Sequence, residues 1–210
     1  MTAAYVDGLV TRVGWPRAGS VPPSVRTIAI VLLLAVTHAQ PSAAQDRYAT
    51  QRARLVAEIA AMARETGAAT GRPRFSEAVM KAMGKVPRHR FVPALYESMA
   101  YDNRPLPIGE GQTISQPFVV ALMTDVIDPK PGQTVLIEIV EPLGRRAMQL
   151  LAQLGYRNVE GRIGDGYNGW PEAAPFDAIV VTAAPAEIPK PLIDQLKPGG
   201  RMVIPAGSSE

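Results

Sequence analysis

The sequence predicts an α/β domain on a reduced parallel sheet, preceded by a helical segment. Three observations point there. From Gln133 onward, short apolar, β-rich runs alternate with helical patterns. From Asp46 to Glu65, and again over Val79, Met80 and Met83, the apolar period is helical. Apolar residues make up 47% of the chain and charged residues 20%, the balance of a globular protein.

The elements follow in order. Asp46 to Glu65 reads as a helix, with Leu55, Val56, Ile59, Met62 and Ala63 on one face and Gly67 and Gly71 ending it. Ser76 is placed to cap a second helix whose apolar side is Val79, Met80 and Met83, and Pro87 stops it. The stretch Val86 to Gln116 shows almost no helical or strand period, and a long irregular segment inside a compact domain is usually functional. A helix is expected from Pro117 to about Ile127. Strands are expected at Thr134–Val140, Asn158–Ile163, Phe176–Val181 and Arg201–Pro205. Helices are expected at Leu143–Leu154, stopped by Gly155, and at Pro191–Leu196, closed by Lys197-Pro198-Gly199-Gly200.

The first 44 residues read as a leader. Arg26 precedes the apolar run Ile28–Val36, and Ser42-Ala43-Ala44 offers a small-x-small cleavage site before Gln45. The run is shorter than the roughly 20 residues that span a bilayer. A secretory signal is therefore expected, and with it export to the periplasm or medium, with no stable membrane association after cleavage. Met1–Ser24 fits poorly as a signal's basic start, which points to translation beginning near Val25. The remainder, 45–210, is expected to be a single domain and a monomer.

Composition excludes several chemistries. There is no cysteine, which rules out disulfides, thiolate zinc sites and cysteine nucleophiles. His38 and His89 are the only histidines, too few for a histidine metal site, so no metal is expected. The net charge is +3, but Arg12, Arg17 and Arg26 against Asp7 put most of it in the leader. Nucleic-acid binding is not expected.

Ligands of an open parallel sheet bind beyond the carboxyl ends of its strands. The loop after Ile163 offers Asp165-Gly166, a short carboxylate that can accept from a nucleoside and a glycine that lets a flat base approach. The same pair is also an ordinary turn.

Read in order, the motifs are more specific. They are Val-Pro-Arg-x-x-Phe-Val-Pro at Val86–Pro93, Ala-Tyr-Asp-x-x-Pro-Leu-Pro-Ile-Gly at Ala100–Gly109, and Gly-Gln-Thr-Ile-Ser-Gln-Pro at Gly111–Pro117. Gly-Asp-Gly-Tyr-x-Gly-Trp at Gly164–Trp170, Ala-Pro-Phe-Asp-Ala-Ile at Ala174–Ile179 and Lys-Pro-Gly-Gly at Lys197–Gly200 follow. Together they resemble the protein-L-isoaspartate O-methyltransferases, over about Asp46 to Gly207. The resemblance implies a Rossmann-like S-adenosylmethionine-dependent methyltransferase fold. Residues 45–131 would form the helical, substrate-side segment and 132–210 an incomplete core. It also implies a repair reaction on isoaspartyl proteins and peptides, in which S-adenosyl-L-methionine methylates the α-carboxylate. Ser115 matches the family's essential serine, read as a positioner rather than a nucleophile; its other reading is a cap for the helix beginning at Pro117. By the same analogy Thr113, Ile114 and Ser115 would lie against the donor, Asp165 and Gly166 would meet the adenine, and Glu138 the ribose.

One departure stands out. Val135-Leu136 resembles the start of the family's first strand, whereas Ile137 to Gly144 resembles the end of its second. The glycine-rich turn and helix between them are missing, so the methionine half of the donor has no cradle and its binding is expected to be weakened or lost. Relative to the family the sheet should shrink to about four strands, with an open edge after Pro205. Two readings follow: an isoaspartyl methyltransferase with weak or lost activity, or a non-catalytic remnant that binds altered polypeptide. An NAD-linked oxidoreductase would need the same missing turn.

Overall fold

The computed structural model describes residues 9–13, 47–130, 135–138, 141–156, 158–183, 185 and 187–205, with the backbone alone at 9–13 and 135–138. The apolar run Ile28–Val36 and the small-residue site before Gln45 lie outside the described residues. Among the described residues no helix is long and apolar enough to cross a membrane.

Strand β1 (Leu9–Val13) comes from the leader. Helix α1 (Ala49–Thr70) runs five residues past the expected end, through Gly67, and stops at Gly71, whose φ is +66°. Gly67 is a packing residue rather than a terminator: a Cβ there would lie 2.7 Å from the Pro73 Cβ. Helix α2 (Glu77–Lys85) starts as expected, with the Ser76 hydroxyl accepting from the Val79 N–H at 3.4 Å. The segment without a period holds two 3-10 turns, Arg88–Phe91 and Ala94–Met99, and a hairpin of β2 (Leu106–Gly109) and β3 (Gln112–Ile114). Pieces of three to six residues are too short to show a period, which is why the sequence left them irregular.

Helix α3 (Pro117–Ile127) has the expected bounds. Strand β4 (Val135–Glu138) leads into α4 (Glu141–Gln153), then β5 (Val159–Ile163), β6 (Phe176–Val180), α5 (Lys190–Asp194) and β7 (Leu196–Val203). β7 is longer than expected, because it takes in Lys-Pro-Gly-Gly. Leu196 pairs with Phe176 and Arg201 with Ala178, so four residues bulge out between neighbouring pairs.

The sheet order is β5-β1-β4-β6-β7. β4, β6 and β7 are parallel, and β1 is antiparallel to both β4 and β5, so β5 runs with the other three. Four co-directional strands agree with the reduced sheet expected from the sequence. The fifth does not: a leader strand fills the gap between β4 and β5. Backbone groups there need partners whatever strand supplies them.

Among the described residues the buried apolar side chains form two larger clusters and a pair. One cluster joins α1, α2, Leu106, Phe118 and Ala121; the other gathers Phe176, Ile179, Val181 and Leu192 around the sheet; the pair is Ile127 with Ala178. Each fully buried side chain of this size contributes about 1.5–3 kcal/mol. Helix α3 belongs to both sides, since Phe118 packs into the first cluster and Ile127 packs on Ala178 of β6. Its sequence is apolar almost all round, as a helix covered on two faces requires. The buried Asp125 carboxylate accepts from Arg72 Nη1 at 3.0 Å and from the Ser76 N–H at 2.6 Å, which fixes α2 against α3.

Candidate active site

Ser115 sits between β3 and the first turn of α3, half-buried, and Thr113 and Ile114 are half-buried on β3 itself. Ser115 does not cap α3. The residue in the cap position is Gln116, and its side chain makes no capping bond. The cap comes from Asn103, whose Oδ1 accepts from the Phe118 N–H at 2.9 Å while its carbonyl accepts from Gln116 Nε2 at 2.9 Å. Pro117, in the first helical turn, needs no donor partner. The Ala-Tyr-Asp-Asn segment thus holds the Thr-Ile-Ser-Gln-Pro segment through the helix that both meet.

A third motif joins them. Arg88, in Val-Pro-Arg, is only 8% exposed. Its Nη2 donates to the Ser115 carbonyl at 2.8 Å and lies 3.5 Å from the Arg104 carbonyl. Its Nε has no hydrogen-bond partner among the described residues. Burial pushes the guanidinium down to about 10, so it remains charged at neutral pH.

The other predicted residues lie at the carboxyl edge of the sheet. Glu138 and Arg162 both pair with Val10, at one level on strands two positions apart, about 10 Å by strand spacing. Glu138 ends β4, and Asp165 lies just beyond the end of β5. The Glu138 side chain is outside the described residues. Asp165 is exposed; its Oδ1 accepts from the Tyr167 N–H at 3.0 Å and its Oδ2 from Asn168 Nδ2 at 3.3 Å, opening the 3-10 turn Gly166–Asn168. The turn role is therefore real, and the carboxylate keeps further lone pairs for a ligand. Gly166 is buried in that turn.

Gln195 clamps the same loop. Its Oε1 accepts from the Trp170 N–H at 2.7 Å and its Nε2 donates to the Asn168 carbonyl at 2.8 Å. Gly169 between them has φ +62°, and a Cβ there would fall 2.3 Å from Gln195 Oε1. The hairpin reaches this half of the molecule through α4, where Arg146 Nη2 donates to the Ile108 carbonyl at 3.0 Å.

Arg88, Asn103 and Gln195 carry this site, and the sequence reading assigned none of them a role. Arg88 and Asn103 lie inside the quoted motifs, which was the available signal, whereas Gln195 follows Asp194 with nothing to set it apart from a surface residue.

The residues at the two ends of the expected donor site differ in chemistry. An acidic strand end and an open carboxylate suit an adenosine. The passage from β4 to α4 is two residues long and contains no glycine, and α4 opens on Glu141-Pro142. Proline offers no N–H, and a carboxylate there repels another. The residues present do not fit the donor's amino-acid end.

Comparison with known proteins decides the family. The model for protein-L-isoaspartate(D-aspartate) O-methyltransferase matches residues 69–139 and 129–210. The chain belongs to the protein-L-isoaspartate O-methyltransferase family. A Cupriavidus necator protein-L-isoaspartate O-methyltransferase 1 is 51% identical over 212 residues, covering 89% of this chain and 82% of its own. The enzyme named protein-L-isoaspartate O-methyltransferase 2 from Polaromonas is 55% identical over 177 residues, 74% of this chain and 84% of that one. A solved protein-L-isoaspartate O-methyltransferase has a TM-score of 0.58 at 26% identity, over 72% of this chain and 55% of its own. A second, from Plasmodium falciparum and solved with S-adenosyl-L-homocysteine, shares the fold at 18% identity and a TM-score of 0.54, over 77% and 84%.

The reaction of this family is protein repair by methyl transfer, with S-adenosylmethionine as donor and isoaspartyl-containing proteins as substrates. The family model matches in two pieces whose bounds overlap at residues 129–139, rather than in one continuous match. The Cupriavidus alignment spans more positions than this chain has residues, although it covers only 89% of them. That relative thus carries residues for which this chain has no counterpart. Both facts agree with a fusion of two family strands at Val135–Glu138.

Proposed function

We propose that this methyltransferase keeps the substrate half of its site intact and holds its donor through the adenosine end alone. Ser115 orients the isoaspartyl α-carboxylate. Thr113 and Ile114 line the donor side, Asp165 and Gly166 receive the adenine, and Glu138 the ribose. The observation that carries this reading is the convergence of three motif segments on Ser115 through Arg88 and Asn103.

An α-carboxylate has a pKa near 3.5 and is already ionised at neutral pH, so no general base is required. What the chain supplies is alignment and exclusion of water. The two-residue passage into Glu141-Pro142 favours the second reading, a remnant that binds altered polypeptide without turnover. Transfer of labelled methyl from S-adenosylmethionine to an isoaspartyl peptide separates the two. Slow transfer abolished by Ser115→Ala supports the enzyme, and no transfer by a folded chain supports the remnant.

The secretory signal and export belong to this proposal as well, with one observation against them. Cleavage after Ala44 would remove β1 from between β4 and β5. Mass mapping of the N-terminus of the purified protein decides the point: a product starting at Gln45 supports export, and a peptide covering Leu9–Val13 sinks it.

A further inference from the structure

Among the described residues the buried polar or charged side chains are Arg88, Asp125 and Gln195. Asp125 has a cation and Gln195 satisfies both ends of its amide. Arg88 differs from both. It is a buried cation whose partners are two neutral carbonyls, with Nε left over. A desolvated guanidinium normally has a carboxylate beside it, because burying the charge alone is costly. Where a native fold keeps such a group, a role is the expected reason.

The position supplies one. The carbonyl Arg88 holds at 2.8 Å belongs to Ser115. The second carbonyl belongs to Arg104, in the Ala100–Gly109 motif. At 8% exposure the field of the guanidinium runs through protein rather than water and is little screened by salt. The substrate proposed for Ser115 is an anion.

We infer that Arg88 is a positioning residue that selects the charged α-carboxylate of the isoaspartyl residue, acting through the Ser115 backbone it holds. This rests on the reading of Ser115 as the substrate positioner. The effect falls on binding more than on turnover. In methyl transfer the carboxylate O–CH3 bond forms as the sulfonium S–CH3 bond breaks, leaving a neutral ester and a neutral thioether, so the substrate's negative charge fades in the transition state. A cation nearby stabilises the bound substrate more than the transition state.

A structural staple would hold Ser115 without caring about substrate charge, so charge selectivity is the readout. The full chain is titrated with an isoaspartyl peptide and with its isoasparaginyl counterpart, in which the α-carboxylate is a neutral carboxamide. The wild type is expected to prefer the carboxylate by about tenfold or more, and to keep that preference when salt is raised from about 0.05 to 0.5 M. Arg88→Gln, checked for folding by its thermal transition, is expected to bind both peptides equally. Arg88→Lys keeps the charge and should retain part of the preference. A folded Arg88→Gln that keeps the wild-type preference overturns the inference and leaves the reading of Ser115 standing. A wild-type preference that vanishes at high salt also overturns it, since exposed cations would then be responsible. A wild type that binds neither peptide removes the inference together with the reading it rests on.

Discussion

Asn103 caps the helix that begins at Pro117, its side-chain oxygen accepting from the Phe118 N–H at 2.9 Å. The bond links two sequence motifs 15 residues apart and fixes the helix end from which Ser115 hangs. Replacing Asn103 by Ala should cost about 0.5–2 kcal/mol, the usual worth of a cap. Asn103→Asp keeps the acceptor and should cost less. Chemical denaturation of both variants checks this; equal losses would mean that the Asn103 side chain stabilises by something other than accepting that bond.

Gln195 and Gly169 form a comparable pair on the donor side. Gln195→Leu strips the Trp170 N–H and the Asn168 carbonyl of their partners, and each orphaned group costs about 1–3 kcal/mol. Gly169→Ala meets both the positive φ and the Gln195 amide. Both variants should lower the melting temperature, and the double variant should lose less than the sum, because the two share one contact. Full additivity would contradict the clamp.

Asp125 is a buried carboxylate held by Arg72 and by the Ser76 N–H. Arg72→Ala leaves it buried without its cation, and losses of this kind reach about 3–5 kcal/mol. Arg72 is 41% exposed at its side chain, so water replaces part of the lost partner and the loss should fall below that range. Urea denaturation measures it; a variant as stable as the wild type would show that the pair contributes nothing.

The Tyr48 hydroxyl and Arg47 both donate to the Glu97 carboxylate and hold it below the usual carboxylate range. For an acid with a depressed folded pKa, the stability is present above the unfolded value near 4.5 and is lost as pH falls through the lower, folded value. Tyr48→Phe should therefore melt below the wild type at neutral pH, and the gap should narrow as pH drops through that window. A gap that is constant from neutral to acid pH would assign the effect to packing of Tyr48 on His89, whose rings stack at 4.2 Å.

Much of the architecture was legible because it rests on long apolar patterns. The bounds of α3 follow from Pro117 and the apolar run behind it, and the co-directional strands follow from their alternation with helices. Three things were hidden. Gly67 looks like a helix stop in one dimension, and only its contact with Pro73 shows otherwise. The Lys-Pro-Gly-Gly bulge reads as a loop, although the strand continues through it. Leu9–Val13 enters the sheet by long-range pairing with Val135–Glu138 and Val159–Ile163, which no local signal records. At the site, the motifs pointed to Ser115 and Asp165. The groups that hold these segments, Arg88, Asn103 and Gln195, act across gaps of 13 to 27 residues that spacing does not reveal.

The central claim is that the substrate side is whole and the methionine end of the donor site is gone. Parallel titrations of the full chain with adenosine and with S-adenosylhomocysteine test it most directly. With no cradle beyond the ribose, the homocysteine end adds nothing, and the two ligands should bind within about threefold of each other. If S-adenosylhomocysteine binds a hundredfold more tightly than adenosine, the amino-acid end has a site in this chain, and the claim is wrong.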